Sequence, residues 1–221
     1  MRKRPNASFE PRRQWLARAG LGSLVLPVAA CDGAFLTRWG LTGSGDEQAE
    51  KEAATAAKRT AEARDVELLN AGILLEQTGI LAYEAAAGLP FIREDATVLA
   101  VAKLFRSQHE EHRDTLAKLV ATLGGTPADP ASAPSPAVPA KVLDEEASPD
   151  ERKIATLRFA RSLERQAADT YFQLVVAQLQ TDLARRSATE ILPVEAQHVA
   201  VFDVVLGAEK PVNAAFFSEQ G

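Results

Sequence analysis

Six glutamate and histidine side chains carry the chemistry that this sequence can perform. Glu195 and His198 lie three residues apart in a segment whose apolar residues recur at helical spacing, so both should face the interior. A buried carboxylate is costly unless it is paired, hydrogen-bonded or bound to a metal ion. Four more such residues interrupt apolar stripes elsewhere in the chain, and they are Glu76, His109, His112 and Glu164.

Glutamate and histidine together suit the coordination of iron, manganese or zinc. The alternative is that these groups pair with one another and only specify how the helices pack. Recurrence of the pattern favours the metal. Tyr83 follows Glu76 by seven residues and Tyr171 follows Glu164 by seven, so each tyrosine lies two turns along the same helical face. All three histidines and both tyrosines of the chain belong to this set.

Four helices are predicted to position these side chains, because the apolar period is three to four residues in four stretches. The predicted helices run from Val66 to Gly88, from Val98 to Leu123, from a capping box at Ser148–Glu151, and from near Thr181. The buried stripes of the last two helices are expected to include Ile154 and Val205. The sequence therefore predicts an all-α protein built as a four-helix bundle.

Two polar stretches adjoin the predicted bundle helices. Residues 47–64 are rich in alanine, glutamate and lysine and contain no large apolar residue, which predicts either a solvated helical extension or disorder. Residues 126–147 contain five prolines and are predicted to be an extended crossover without helix. Such a crossover is long enough to run the full length of a bundle.

The first 31 residues have the organisation of an export signal. Basic residues come first, an apolar run follows, and the run ends at Cys31, the only cysteine of the chain. The segment Val28–Cys31 resembles a bacterial lipobox, so we expect Cys31 to be lipidated. Arg12 and Arg13 resemble a twin-arginine export motif, although the residues around them depart from it and leave the general secretory route open.

Charge and hydropathy restrict the partners. Residues 1–30 hold six basic residues and one acidic residue, so their removal would change the net charge from −5 to about −10. An acidic protein of this kind repels nucleic acid, and no nucleic-acid partner is expected. The apolar run is too interrupted to span a bilayer, so membrane contact is expected through the lipid anchor alone. We predict an exported protein of the bacterial cell envelope, on the periplasmic or outer face of a membrane.

The predicted organisation has four parts in chain order. They are a signal peptide with its lipobox (1–31), a tether and polar helical extension (32–65), the four-helix bundle (66–208) with its proline-rich crossover (126–147), and a C-terminal tail (209–221).

Together, the helices and their polar residues resemble the ferritin-like superfamily, which includes rubrerythrin and bacterioferritin. Its di-metal members carry one glutamate on each of two helices and a Glu-x-x-His motif on each of the other two. The resemblance implies that Glu76 and Glu164 are the single glutamates, that Glu195 and His198 form one motif, and that His112 is the histidine of the second motif. It also implies a long crossover between helices two and three. Within that superfamily, the chain resembles secreted bacterial ferritin-like domain proteins.

One position departs from the family pattern. His109 stands where the second motif has glutamate, and a neutral imidazole offers only one lone pair to a metal. Two divalent ions against three carboxylates would leave one uncompensated positive charge. The site is therefore predicted to hold a transition metal, iron or manganese first and zinc as a further option, and the choice between a mononuclear and a dinuclear site stays open.

The function implied by the resemblance is metal binding, with ferroxidase-like or oxidase-like redox chemistry if the protein is an enzyme. Dioxygen or peroxide would then be the small-molecule partner, and Tyr83 and Tyr171 would either form hydrogen bonds beside the ligands or be groups accessible to radical formation. The alternative is a non-catalytic envelope protein, structural or interacting, whose site is degenerate and free of metal. A homodimer is left open, and a storage cage is disfavoured because the lipid anchor would crowd its assembly.

Overall fold

The computed structural model describes the backbone of residues 44–209 and the side chains of residues 47–209. Within this part the chain is helical and contains no strand. Its helices are α1 (Ser44–Gly88), α2 (Pro90–Arg93), α3 (Ala96–Thr122), α4 (Ala140–Leu143), α5 (Pro149–Gln173) and α6 (Asp182–Val205), with a 3₁₀ turn at Pro130–Ser132 and a π-helical segment at Leu174–Gln178. The predicted signal peptide, Cys31 and nearly all of the C-terminal tail lie outside the described residues.

The chain divides into two units, Met1–Gln48 and Ala49–Gly221. Of the first unit the structure describes residues 44–48, which are helical, and the bundle lies within the second unit. No helix in residues 44–209 combines the length and the apolar character that crossing a membrane requires.

The four long helices α1, α3, α5 and α6 build the predicted bundle around two apolar clusters. The first cluster contains Leu69, Ile73, Leu116, Leu119, Val120, Tyr171, Leu174, Leu179, Ala184, Ala188 and Ile191. The second contains Tyr83, Ala102, Phe105, Leu157 and Phe202. Each large apolar side chain buried in this way contributes about 1.5–3 kcal/mol. On every long helix the polar candidate residues lie between the contributions to the two clusters, so the bundle holds a polar layer between two apolar ones.

The polar stretch before the bundle is a continuous part of α1. Residues 47–60 are all exposed, as their composition predicts for a solvated extension, and the helix continues without a break into the bundle. Of the two predicted alternatives, helix and disorder, the structure has the helix.

Specific caps set the helix boundaries. Ser148 and Glu151 form the predicted capping box at the start of α5, with the Ser148 N–H donating to Glu151 at 3.0 Å. Thr181 is the N-cap of α6, in agreement with a helix predicted to begin near this residue. After α3, Gly124 has a φ of 80°, a conformation that favours glycine and ends the helix. The short helix α2, which begins at Pro90, was not predicted from the sequence.

The crossover between α3 and α5 runs along α1. The Ala128 N–H donates to the Asn70 side chain at 2.7 Å, and the Asn70 amide donates to the Thr126 carbonyl at 3.0 Å. Further along α1, the Thr78 hydroxyl donates to the Pro134 carbonyl at 3.2 Å. These contacts hold an extended chain against the helix, as the sequence predicts.

The prediction that the crossover contains no helix is wrong for α4. This helix forms directly after Pro139, the last proline of the stretch, where Ala140, Lys141 and Leu143 favour helix. Val142 is only 3% exposed, and its carbonyl accepts a hydrogen bond from Arg152 Nε at 2.9 Å. Burial of one apolar side chain therefore stabilises this helical turn. It was missed because the high proline content of the whole stretch predicts an extended chain.

Two residues expected on buried stripes are exposed. Ile154 is 41% exposed near the start of α5, and Val205 is 51% exposed as the last residue of α6. Both residues fit the apolar period of their helices, but they lie beyond the part of the helix that a neighbouring helix covers. Periodicity gives the buried face of a helix but not where along the helix burial ends.

Candidate metal centre

All six predicted ligands come together in the polar layer of the bundle. Two overlapping groups have one ligand atom from every residue within 4.8 Å of the others. We call them the first half-site (Glu76, His109, His112 and Glu195) and the second half-site (His109, Glu164, Glu195 and His198). Both half-sites contain His109 and Glu195. Five of the six residues are buried, and His112 is half-buried.

His109 lies at the centre of the cluster, with one ring nitrogen toward each outer glutamate. Its Nδ1 is 2.6 Å from Glu76 Oε2, and its Nε2 is 3.3 Å from Glu164 Oε1. An imidazole can donate to both carboxylates only when both nitrogens carry a proton. In the absence of metal, His109 is therefore a cation between two anions.

The two tyrosines connect α1 and α5 in a reciprocal way. Tyr83 on α1 donates its hydroxyl hydrogen bond to Glu164 on α5, and Tyr171 on α5 donates to Glu76 on α1. The seven-residue spacing on each helix thus belongs to a pair of contacts in which each tyrosine reaches the glutamate of the other helix. Each outer glutamate has one hydrogen bond from a tyrosine and at least one contact with a histidine nitrogen, and these fix its orientation.

His198 is held on three sides. Its Nδ1 faces the cluster, 3.0 Å from Glu164 Oε2, while its Nε2 lies 2.8 Å from the side-chain oxygen of Gln108. The ring of Phe105 stacks on the imidazole with centroids 3.8 Å apart. A ligating histidine usually donates its other ring N–H to such an oxygen, which fixes the ring and its tautomer. Gln108 was not predicted, because it is the neighbour of His109 in sequence and lies off the apolar stripe.

Glu195 is different from the other two glutamates. It is fully buried, yet neither of its carboxylate oxygens accepts a hydrogen bond from any described residue. His112 Nδ1 approaches Oε1 to 2.9 Å without hydrogen-bond geometry, and His198 Nδ1 lies 3.5 Å from Oε2. A buried carboxylate that accepts no hydrogen bond and is surrounded by imidazole nitrogens provides, together with them, a set of ligand atoms that fits a metal ion.

A family model described as a ferritin-like domain matches residues 64–208, most of the chain. The chain belongs to this ferritin-like family. A crystal structure of a conserved hypothetical protein, Rv2844, from Mycobacterium tuberculosis is similar, with a TM-score of 0.50 and 21% sequence identity over 70% of this chain and 98% of that one. At this identity the likeness shows the fold alone. No curated protein matches the chain.

Ion pairing in this ferritin-like domain shifts the pKa values of the cluster. Burial raises the pKa of Glu76, but hydrogen bonds and charge from His109 and His112 outweigh burial and lower it to about 2. The same balance, with His109 and His198 as partners, lowers the pKa of Glu164. Burial lowers the pKa of His112, and the carboxylates of Glu195 and Glu76 outweigh it and raise the pKa to about 9.

The pKa values of the other two histidines and of both tyrosines are also raised. Burial opposes the charged form of His109 and His198, but their carboxylate neighbours raise both pKa values. Burial and an adjacent glutamate charge raise the pKa of Tyr83 and of Tyr171 well above 10, so both phenols stay protonated and act as donors. The metal-free cluster is thus a set of paired cations and anions surrounded by neutral donors.

A small cavity reaches the cluster between α1 and α5. It has a volume of about 50 Å³, and Glu76, His109 and Glu164 lie in its wall. Gly79 contributes to the same wall, where a Cβ atom would lie 3.4 Å from the His109 ring. A space of this size holds one or two water-sized molecules, so a small reactant has room beside the ligands.

Proposed function

We propose that this ferritin-like protein binds a transition metal, iron or manganese, in the core of its bundle. The observation that carries the proposal is Glu195, a fully buried carboxylate that accepts no hydrogen bond from the described residues. Without metal, its charge is balanced only by histidine nitrogens, of which His112 Nδ1 is the nearest at 2.9 Å, and a buried carboxylate that lacks hydrogen bonds remains costly. A cation between Glu195 and the imidazoles of His109, His112 and His198 would supply the missing interaction.

Iron or manganese held there would supply redox chemistry toward dioxygen or peroxide. The chain's own part is to hold and orient. Glu76 and Glu164 are each fixed by a tyrosine hydroxyl, and Gln108 fixes His198. The apolar clusters above and below the layer exclude bulk water, and the cavity beside His109 leaves room for a molecule of the size of dioxygen or peroxide. Tyr83 and Tyr171 donate hydrogen bonds directly to two of the candidate ligands, Glu164 and Glu76.

A second candidate function is a non-catalytic envelope protein whose cluster holds no metal. The observation that favours it is charge balance, because three protonated histidines neutralise three glutamates. His109 contacts both Glu76 and Glu164, and His198 contacts Glu164, as a structural ion-pair network would. What this alternative leaves unexplained is why Glu195 has no hydrogen bond.

Elemental analysis of the natively purified complete chain separates the two candidates. The metal-binding function predicts iron or manganese in near-stoichiometric amount, and strong depletion in Glu195→Gln. Glu190→Gln is the matched control, because Glu190 is an exposed glutamate on the same helix and its metal content should equal that of the wild type. Absence of metal after native purification, and again after anaerobic reconstitution with iron, manganese and zinc, would favour the metal-free protein.

The proposal extends to location: the protein is exported and anchored to the envelope by a lipid on Cys31. Support comes from the sequence, where the only cysteine ends a lipobox-like segment after an apolar run. Cys31→Ser should release the protein from membranes into the soluble fraction. Intact-mass measurement of the membrane fraction checks this, and an uncleaved, unacylated N-terminus would contradict it.

The export route has its own test. Export of an already folded protein through the twin-arginine route would allow metal to be inserted in the cytoplasm. Replacing Arg12 and Arg13 with lysine should then trap the precursor inside the cell, as fractionation and immunoblotting would report. Normal processing of the double variant would instead indicate the general secretory route.

A further inference from the structure

We infer that His109 joins two metal ions, one on each ring nitrogen, so that the departure from the family's carboxylate pattern creates an imidazole-bridged pair. The inference rests on the proposed metal-binding function and specifies how the same site would hold its ions. The starting observation is that the two half-sites share only His109 and Glu195. His109 has two ring nitrogens and Glu195 has two carboxylate oxygens, so each of them can offer a separate atom to each half-site.

The two nitrogens of His109 face different half-sites. Nδ1 lies 2.6 Å from Glu76 Oε2 and 3.9 Å from Glu195 Oε1, both of which belong to the first half-site. Nε2 lies 3.3 Å from Glu164 Oε1, in the second half-site. The ring thus separates the two outer glutamates, with one nitrogen directed to each.

The two carboxylate oxygens of Glu195 also face different half-sites, as the two nitrogens of His109 do. Its Oε1 is 2.9 Å from His112 Nδ1, and its Oε2 is 3.5 Å from His198 Nδ1. Each half-site consequently has one outer glutamate, one outer histidine nitrogen, one oxygen of Glu195 and one nitrogen of His109. Two sets of four donors can form without any atom being used twice.

Charge favours the same arrangement. Two divalent ions carry four positive charges, and the three glutamates supply three negative ones. An imidazole that coordinates through both nitrogens has lost both N–H protons and carries one negative charge, which completes neutrality. As the metal–nitrogen bonds form, both N–H bonds of His109 break, His112 and His198 each release the proton of the nitrogen that binds, and the four protons leave to solvent. A cluster with so little exposure requires this balance, because uncompensated buried charge is costly.

The surroundings hold the His109 ring in place. Its plane lies nearly parallel to the ring of Tyr83, with centroids 5.6 Å apart and an interplanar angle of 28°. Gly79 brings the backbone of α1 close, since a Cβ there would touch three ring atoms at 3.4 Å. A ring confined in this way keeps one nitrogen toward each half-site.

An imidazole bridge has a measurable geometric consequence. Carboxylate-bridged or oxygen-bridged pairs of catalytic metals lie about 3.5–4 Å apart. Across an imidazole the separation is about 6 Å, because each metal–nitrogen bond is about 2.0–2.1 Å long and the ring nitrogens lie about 2.2 Å apart. Two ions at that distance cannot share one oxygen atom and would act as two linked but separate centres.

Anomalous diffraction from the Zn²⁺-loaded complete chain tests the inference directly. Zinc is redox-inert and accepts both imidazole and carboxylate ligands. We expect two ions per chain about 6 Å apart, each bonded to one nitrogen of His109. In His109→Glu a carboxylate replaces the bridge, and the two ions should move to about 3.5–4 Å. A single ion in the wild type, or two ions at the short distance with His109 on one of them, would overturn the bridge.

A titration of the stripped protein with Zn²⁺ supplies a second measurement that does not depend on crystals. His109→Gln should weaken binding at both half-sites, whereas His112→Gln and His198→Gln should each weaken one and leave the other. If His109→Gln removed no more than one ion's binding, the bridge would be wrong while the metal-binding function stood. If the wild type bound no Zn²⁺, Fe²⁺ or Mn²⁺, the bridge and the proposed function would both fail.

Discussion

Two fully buried carboxylates, Asp65 and Glu195, lie in the same bundle with opposite surroundings. Asp65 accepts three hydrogen bonds, from the N–H groups of Gln180 and Thr181 at 2.9 and 2.8 Å and from the Thr181 hydroxyl at 2.7 Å. These donors include free N–H groups at the start of α6, so Asp65 connects α1 to that helix. Glu195 is buried to the same extent and has no such donor among the described residues.

The comparison distinguishes a carboxylate that serves the fold from one that is available for a ligand. Where this bundle buries a negative charge for structure, it surrounds the charge with donors. At Glu195 it instead directs the nitrogens of three histidines toward the charge without hydrogen-bond geometry. Stability and metal binding should therefore respond separately to changes at the two positions.

The largest effect is expected from pH, because five groups of the cluster have shifted pKa values. Without metal, the pKa of His112 is raised from 6.5 to about 9, so its stabilising charge is complete below about pH 6.5 and is lost as pH rises through 9. The pKa of Glu76 is lowered from 4.5 to about 2, so its contribution is complete above about pH 4.5 and is lost as pH falls toward 2. The unfolding free energy of the metal-free protein should peak between these limits.

Denaturant titrations across this range measure that profile. His112→Gln should reduce the alkaline decline, because the variant lacks one of the charges that disappear there. Metal binding requires the histidines to lose their protons, so the stabilisation that metal provides should instead grow as pH rises toward about 9, the raised pKa of His112. A metal-free profile that is flat from weakly acidic to alkaline pH would contradict the ion-pair description of the cluster.

The next largest effect should come from Asp65→Ala. Removal of this carboxylate leaves the N–H groups of Gln180 and Thr181 without their acceptor, and we expect a loss of about 3 kcal/mol of unfolding free energy. Asp182→Ala is the control, since Asp182 is an exposed residue in the first turn of α6 and should cost no more than about 1 kcal/mol. Metal affinity should be unchanged in both variants, and a large loss in Asp65→Ala would break the distinction between the two carboxylates.

Glu195→Gln should show the converse behaviour. Because His112 loses a charged neighbour at 2.9 Å, the unfolding free energy of the metal-free protein should fall, but His112 can release its proton and stay neutral, which should keep the loss below that in Asp65→Ala. Metal affinity should fall at least about 100-fold, equivalent to about 2.7 kcal/mol. Calorimetric titration measures the affinity, with Glu190→Gln as the surface control. Severe destabilisation without metal would mean that Glu195 is a structural residue like Asp65.

The smallest effect is expected at Gln108, which contacts a candidate ligand and no ion. Gln108→Leu removes the oxygen 2.8 Å from His198 Nε2, so the ring loses its orientation. Metal affinity should fall about tenfold, within the range for groups that position ligands. The loss should be confined to the second half-site, and equal weakening of both half-sites would contradict the role assigned to Gln108.

The sequence was sufficient to predict the four-helix bundle and the residues that meet at its centre. This is because helical periodicity places Glu76, Glu164 and Glu195 on inward faces, and the three histidines fall on the same stripes. The family relationship predicted from these residues is confirmed by the match over residues 64–208. Their assignment as metal ligands stays a prediction.

What the sequence missed depends on three-dimensional contacts. Asp65 adjoins the polar extension and looks like part of it, because its partners at Gln180 and Thr181 are distant in the chain. Gln108 lies off the apolar stripe and reaches the cluster only through His198 on another helix. The directions of the two nitrogens of His109 are not encoded in any spacing, so the division into half-sites emerges only from the structure.

Unfolding of the wild-type chain with and without metal tests the central claim most directly. Denaturant titrations at neutral pH would be run with a chelator and with Fe²⁺ (anaerobically), Mn²⁺ or Zn²⁺ in excess. A metal that binds the folded cluster at 100 times its Kd should add about 2.7 kcal/mol to the unfolding free energy, and this increment should be lost in Glu195→Gln. The same unfolding free energy with the chelator and with every one of these metals would contradict the claim that Glu195 is buried to hold an ion.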